Sequence, residues 1–331
     1  MKEIKLSGSE VVIKQAIFGT SRLGGTVQHY NKKEALGILE QAVDFGITTF
    51  DTANIYAQGN SEKLLGAAMK RQREKIIIAT KGGYAVSTKG RLLSMAKPII
   101  RKIIGSRPGI ARAAGKVRGG QILQDFSKAA LTKSLEESLK RLKTDYIDIY
   151  QLHSPDQETL ERGEVFETLA AFQNAGKIRA SGVSLLSWQH LEYCIGKGIS
   201  FVQLEADFLS GIDRRGELES AADAGIVVAA RQAFGSGLMA KDPSAWTVEQ
   251  FGNDPDRLSQ AKARMVRLKS IGDPFKAILR HLLHTSEFPA FLFATTNPEH
   301  LAKNLDVIGG ESPSPESIDE LREIFSEQNQ S

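Results

Sequence analysis

Four polar residues, Asp51, Tyr56, Lys81 and His153, stand at or just after the C-terminal ends of short apolar runs that read as buried strands. Asp51 and Tyr56 fall in FDTANIYAQGNSE, Lys81 in IIIATKGG, and His153 in YIDIYQLHSPD. A phenol has a pKa of about 10 in water and is a poor acid or base at neutral pH. An ammonium beside it favours the phenolate, and a carboxylate keeps that ammonium charged and in place. A histidine on the neighbouring strand can hydrogen-bond the same substrate oxygen. Together the four make a proton donor aimed at a carbonyl that is accepting hydride. Each alone has a plainer reading, as a turn cap, a packed ring or a solvated side chain. The chemical reading therefore depends on their convergence.

The elements that must bring them together follow from an alternation along the chain. Strand-like runs at 15–18, 48–51, 75–80, 147–152, 180–183, 201–205, 227–230 and 290–293 are separated by segments of helical period at 32–45, 61–70, 126–142, 165–174, 187–195, 214–224 and 274–284. In 126–142, Leu131, Leu135, Leu139 and Leu142 form one apolar stripe suited to packing on a sheet. Asn31 and Asn60 stand where N-caps belong, and Gly46, Gly176 and Gly225 where left-handed C-caps belong. Eight such units with parallel strands close into an α/β fold, the (β/α)8 TIM barrel, in which strand ends share one mouth. A doubly wound sheet is the alternative, but no GxGxxG follows the first run. Two stretches break the alternation: a long one from 85 to 124 after the third strand, and 232–256 after the seventh. The tail from Ser314 reads as a capped helix on the outside, and residues 1–331 read as one domain.

Composition narrows the function classes. The single cysteine, Cys194, excludes an internal disulfide framework and any all-cysteine metal site, and no metal is expected. Its setting, WQHLEYCIGKG, suits a buried structural thiol. The first ten residues are polar, and no apolar run approaches membrane-spanning length, which predicts a cytoplasmic protein without membrane contact. The formal net charge of +4 is local: residues 85–124 hold nine basic residues and no acidic one, leaving 34 basic against 39 acidic elsewhere. That pattern argues for an anion-facing loop rather than a nucleic-acid fold.

The segments FGTSRLGG, FDTANIYAQGNSEKLLGAAMK, ATKGG, YIDIYQLHSPD, GKIRASGVS, VQLEADFL and ATTNPEHLAKNL resemble, in order and spacing, the motifs of the aldo-keto reductase superfamily. The resemblance covers the whole chain apart from 85–124. It implies a TIM barrel that binds an extended nicotinamide cofactor, with Tyr56 as general acid, Lys81 as its modulator, Asp51 as the partner of Lys81 and His153 orienting the carbonyl. It also implies carboxamide contacts from Ser184 and Gln203, with Gly19 and Thr20 along the cofactor. Gly235, Gly237 and Leu238 would cover the pyrophosphate. Thr295, Thr296, Asn297, His300 and Asn304 would hold the adenosine end, with phosphate at the helix that begins near Pro298. NADP(H) is favoured over NAD(H), on His300 and Lys303 as basic candidates for a 2′-phosphate. Two positions depart from the family pattern. Leu185 replaces the asparagine that usually follows the serine of GVS, and Arg231 replaces an aromatic platform. Arg231 is expected to stack on the cofactor or to reach an anionic substrate group.

The implied activity is an NADP(H)-dependent oxidoreduction between a carbonyl (aldehyde, ketone or sugar-like) and its alcohol. A second reading is a regulatory protein that keeps the barrel and cofactor with little turnover, and a third is a hydrolase or lyase pairing Asp51 with Glu205. The basic segment starts just beyond Lys81, so it is expected at the mouth, either packed on the rim or a neighbouring subunit of a homo-oligomer, or as a lid that favours anionic or polyoxygenated substrates.

Overall fold

In the computed structural model, which describes residues 1–24, 31–86, 122–206, 208–209 and 214–326, the chain opens with a plug. Strands β1 (Glu3–Lys5) and β2 (Val12–Lys14) pair as an antiparallel hairpin that the sequence reading did not anticipate. Strands β3 (Ala16–Gly19), β4 (Thr49–Asp51) and β5 (Ile77–Gly82) come next. Strands β6 (Tyr84–Val86) and β7 (Ile122–Gln124) stand apart as a second antiparallel ribbon. Then follow β8 (Ile147–His153), β9 (Ile178–Ser184), β10 (Phe201–Glu205), β11 (Val227–Arg231) and β12 (Ala290–Phe293). The eight strands other than the two ribbons close into a parallel barrel, with β12 beside β3. These are the eight runs of the sequence reading. The basic stretch within 85–124 lies outside the described residues except at its ribbon ends.

The helices on the outside are α1 (Lys32–Asp44), α2 (Asn60–Ala68), α3 (Lys128–Leu142), α4 (Gln157–Arg162) and α5 (Glu164–Asn174). They continue with α6 (Arg215–Asp223), α7 (Pro255–Ser270), α8 (Pro274–His284), α9 (Pro298–Gly309) and the tail helix α10 (Pro315–Ser326). Asn31 caps α1 as expected, accepting from the Lys33 amide, and Gly46, Gly176 and Gly225 all take positive φ. Asn60 does not cap: it is the first residue of α2, and its side-chain amide reaches the Gly24 carbonyl. The segment expected as a helix at 187–195 is a 3-10 run, Trp188–Cys194, which buries Leu191 and Cys194 at the three-residue step of that geometry. The connection after β11 holds three short 3-10 turns and ends in α7, a helix the sequence reading missed. The inner stripe of α7 is Ala261, Arg264, Met265 and Leu268, so a charged residue interrupts the apolar period.

The interior of the barrel is graded. Leu6, Val11 and Ile13 from the first hairpin are buried in one cluster with Ile17, Ala79, Ile149, Ala180, Phe201, Ala229 and Ala290, one residue from each of seven barrel strands. Side chains alternate along a strand, so the residues two positions further on share the same inward side. They are Gly19, Lys81, Gln151, Gly182, Gln203, Arg231 and Leu292, with Asp51 from β4. The filling thus changes from apolar to polar between two successive steps toward the C-terminal end.

On the outer side, Arg264 ties the C-terminal helix to the loop after β10. Its Nε donates to the Ile324 carbonyl at 3.2 Å, and its Nη1 to the carbonyls of Phe208 and Leu209 at 3.0 Å each. Beside it, His281 stacks on Phe325 with ring centroids 3.8 Å apart and bonds Thr285 at 2.6 Å. Burial, and then the Arg264 charge, pull the His281 pKa from 6.5 down to about 3. The unfolded chain takes up this proton below about pH 6.5 while the folded chain does not, so folding stability falls as pH drops from 6.5 toward 3. The expected slope is about 1.4 kcal/mol per pH unit for each such histidine. His281→Phe, which keeps a ring to stack, should show a shallower loss between pH 7 and 4.5 in chemical denaturation. Equal slopes in the two proteins would contradict the assignment.

Candidate active site

The polar layer at the mouth is organised around a buried ion pair. Lys81 Nζ lies 2.7 and 2.6 Å from the two carboxylate oxygens of Asp51 and 2.9 Å from the Thr52 carbonyl. Lys81 is 1% and Asp51 2% exposed. Burial on its own would lower the lysine pKa, but the Asp51 carboxylate and Tyr56 together hold it above its ordinary value. Asp51 is further tied by Gln203, whose Nε2 donates to Oδ1 at 2.6 Å, and by Gln151 Nε2 at 3.4 Å. The remaining contact of the ammonium is the Tyr56 hydroxyl at 3.5 Å.

Local structure aims Tyr56 at that ammonium. The chain leaves β4 at Asp51 and passes through a 3-10 turn, Tyr56–Gly59, in which Ala57 and Gln58 have φ of 48° and 59°. The left-handed residues turn the chain back into α2, so the tyrosine ring stays over the mouth. His153 ends β8, in register with Ser184 at the end of β9. Its ring meets Tyr56 edge-on, with centroids 5.9 Å apart. Burial, then the charges of Lys81 and Arg231, pull its pKa from 6.5 down to about 3. His153 is therefore neutral at physiological pH and can donate or accept one hydrogen bond without adding charge. The four residues singled out from the sequence meet at one mouth, where an ammonium touches a phenol beside a neutral imidazole.

The residues proposed from the sequence for a cofactor fall into two groups. Ser184 and Gln203 face each other in register on β9 and β10, both buried. Gly235 and Gly237 follow β11 with φ of 61° and 96°, and the carbonyl of Leu238 between them and α7 accepts from Trp246 Nε1 at 3.1 Å. Thr295, Thr296 and Asn297 follow β12, and His300 is exposed on the first turn of α9, with Asn304 one turn further. All lie at the end of the barrel that holds the Lys81–Asp51 pair.

Several side chains have partners other than those expected. Thr20 is buried, and its hydroxyl donates to the Asp51 carbonyl at 2.9 Å, while Gly19 lies opposite Asp51 in the ladder. The Asn297 side chain caps α9 by accepting from the Glu299 and His300 amides, which leaves its carboxamide oxygen engaged. Lys303 lines a groove of about 460 Å³ between α8, α9 and α10 with Lys276, Arg280 and Glu320. Leu185 is fully buried in the hydrophobic core. Arg231, partly exposed at the end of β11, donates from Nη2 to the Leu185 carbonyl at 2.9 Å, and its Nε is buried with no partner. Cys194 is buried, and burial pushes its thiol up to about 12, out of the range of a nucleophile. Glu205 is exposed, and Asp51 is committed to Lys81, so the two do not form a carboxylate pair.

Sequence reasoning missed Gln151, Asn54 and Tyr84. The first had a signal: in YIDIYQLH, Ile149, Gln151 and His153 are the inward positions of one strand. The other two had none, since their role depends on contacts across the mouth.

A nicotinamide dinucleotide fits the donor set at this mouth. Gln151 Oε1 and Arg231 Nε are buried polar atoms without partners, and Ser184 and Gln203 offer paired polar side chains, whereas the first-turn amides of α9 are already taken by Asn297. Among the described residues no group of three His, Cys, Asp or Glu could hold a metal ion, and no helix is long and apolar enough to cross a membrane.

Removing one member of the buried pair leaves the other charge uncompensated, at a cost of about 3–5 kcal/mol, whereas removing both costs far less. Lys81→Met and Asp51→Asn should each lower stability by that order, and the double variant should be more stable than either in urea denaturation. Additive losses would contradict the pairing.

Comparison with known proteins agrees with this geometry. A sequence profile described as the aldo/keto reductase family matches residues 16–325. An uncharacterized oxidoreductase of Bacillus subtilis (strain 168), YqkF, is 27% identical over 97% of this chain and 96% of its own length. The NADH-specific methylglyoxal reductase of Escherichia coli (strain K12) is 27% identical over 72% of this chain and 69% of its own. Among solved structures, the holo form of an aldo-keto reductase from Bacillus halodurans superposes with a TM-score of 0.75 at 20% identity, covering 98% of this chain and 96% of that one, which bears on the fold. With a closed eight-stranded parallel barrel and a profile match over nearly its whole length, this chain belongs to the aldo/keto reductase family, oxidoreductases that act on carbonyls and alcohols with nicotinamide cofactors.

Proposed function

We propose that the chain interconverts a carbonyl compound and its alcohol, with Tyr56 exchanging the proton on the substrate oxygen. The observation that carries this reading is the contact of Lys81 Nζ with the Tyr56 hydroxyl at 3.5 Å, made by an ammonium whose other partners are the Asp51 carboxylate and a carbonyl. A bound nicotinamide supplies or accepts the hydride at the carbonyl carbon. The protein's own residues do the rest. Asp51 keeps Lys81 charged, and Lys81 stabilises negative charge on the Tyr56 oxygen as its proton leaves. His153, neutral because of burial and two neighbouring cations, donates a hydrogen bond to the same substrate oxygen and fixes the carbonyl's direction. Ser184 and Gln203 orient the nicotinamide carboxamide, Gly19 and Thr20 line its path by their backbone, and Arg231 borders its ring.

The loop carrying Gly235, Gly237 and Leu238 covers the pyrophosphate, and Thr295, Thr296, Asn297 and Asn304 hold the adenosine end. NADP(H) is taken as the preferred form on the exposed His300, a basic side chain on the first turn of α9 within reach of a 2′-phosphate. With Lys303 turned into the groove beside Lys276, that preference rests on one residue, and a relative bears an NADH-specific name.

Tyr56→Phe should lower turnover by about 10²–10⁴-fold with aldehydes, methylglyoxal among them, while NADPH still quenches intrinsic fluorescence with native affinity. Retained turnover would refute the role of Tyr56. Parallel titrations with NADPH and NADH decide the cofactor: tighter NADPH binding that weakens in His300→Ala is expected, and tighter NADH binding would reverse the preference.

A further inference from the structure

A histidine at a reaction centre is ordinarily aimed by a hydrogen bond from one ring nitrogen to a carbonyl or carboxylate, which fixes both tautomer and ring plane. His153 lacks this support: its Nδ1 is buried with no hydrogen-bond partner among the described residues. What surrounds the imidazole instead is a pair of rings. Tyr56 meets it at 5.9 Å and 88°, and Tyr84 more closely, at 4.9 Å and 87°. The geometry points to Tyr84 as the positioning residue for His153, its ring setting the imidazole orientation by edge-on packing where a hydrogen bond would otherwise do so.

Such a role requires that Tyr84 itself be held, and its backbone is held from several sides. Its carbonyl accepts from Asn54 Nδ2 at 2.7 Å, and the same amide reaches Ser134 Oγ at 2.9 Å. Asn54 belongs to the loop between Asp51 and Tyr56, so the contact joins Tyr84 to the segment that carries the proposed acid. In the ribbon, Tyr84 pairs with Gln124, whose Nε2 donates to the Ser154 carbonyl at 2.9 Å. Ser154 follows His153 directly and has a φ of 57°, a strained conformation for a residue with a side chain. The Asp125 amide donates to Gly83 O at 2.9 Å, and a Cβ on Gly83, whose φ is +108°, would lie 2.1 Å from the Phe126 ring. The ribbon therefore clamps the backbone on both sides of the imidazole, and Tyr84 is the one side chain of that clamp whose ring meets it in an aromatic contact.

The inference rests on the reading of His153 as the group that meets the substrate oxygen, and its test separates the two. Tyr84→Ala and Tyr84→Phe are compared with the native protein in turnover of an aldehyde and in ¹H–¹³C spectra of the histidine rings, with His153 assigned through His153→Asn. Tyr84→Ala should lower kcat by about tenfold to a hundredfold, the cost of roughly an ångström of misplacement, with NADPH affinity unchanged. It should also move or broaden the His153 ring signals. Tyr84→Phe should match the native protein in both. Tyr84→Leu stands in should the alanine variant fail to fold, and must behave as expected of that variant. Unchanged His153 signals in Tyr84→Ala would overturn the inference, as would a Tyr84→Phe as defective as Tyr84→Ala. If the native protein turns over no carbonyl, the reading of the reaction fails, while the spectra still decide whether Tyr84 aims the imidazole.

Discussion

An ammonium ion buried to 1% exposure is the constraint on which the mouth of this barrel depends. Removing an ion of that size from water costs several kcal/mol even after the protein relaxes, so it persists only where its partners are close and complete. Lys81 meets that condition with two carboxylate oxygens and a backbone carbonyl. Asp51 meets it in turn with donors from β8, two strands away, and from β10, on the opposite side of the barrel from its own strand. The pair thus draws on four strands, and none of them can shift alone without exposing a charge to an apolar interior. What the pair leaves over is a contact to a phenol, and the proposed chemistry uses that remainder.

The rest of the interior makes this arrangement affordable in physical terms by keeping water away from one side. Beneath the polar layer, small and apolar residues from seven strands meet the side chains of the β1–β2 hairpin, so the barrel is closed at its N-terminal end and open only at the mouth. The same low-polarity surroundings act on His153, where burial and two cations keep the imidazole neutral. One mouth therefore contains a charged donor, a phenol and a neutral imidazole. The ribbon formed by β6 and β7 is tied to the loop that carries Tyr56 and to the residue after His153.

The fold was legible because its signals are local. Short apolar runs followed by a helical period and a glycine give βα units, and the eight barrel strands are the eight expected. The placement of Asp51, Lys81 and His153 at or near strand ends was legible for the same reason, since a position at the end of an apolar run is a property of sequence. Contacts between distant segments were not. Gln203 was expected to face a cofactor, yet its amide also reaches Asp51, 152 residues away in the chain. Asn297 lies in a segment that resembles an adenosine site, but its side chain caps the helix that follows. α7 escaped notice because Arg264 occupies a buried position on its inner stripe, where it serves three backbone carbonyls that only the folded chain brings near. Tyr84 gave no sign at all, because an edge-on ring contact leaves no mark on sequence period.

The most direct test of the account follows a deuterium atom. The native protein and the double variant Asp51→Asn/Lys81→Met, which removes both charges and so spares the fold the cost of an unpaired one, would be given C4-deuterated reduced nicotinamide and an aldehyde, and the alcohol read by mass spectrometry. The account predicts one deuterium at the former carbonyl carbon with the native protein, and transfer at least about 10²-fold slower in the double variant although the cofactor still binds. Transfer at the native rate without the charge pair would contradict it.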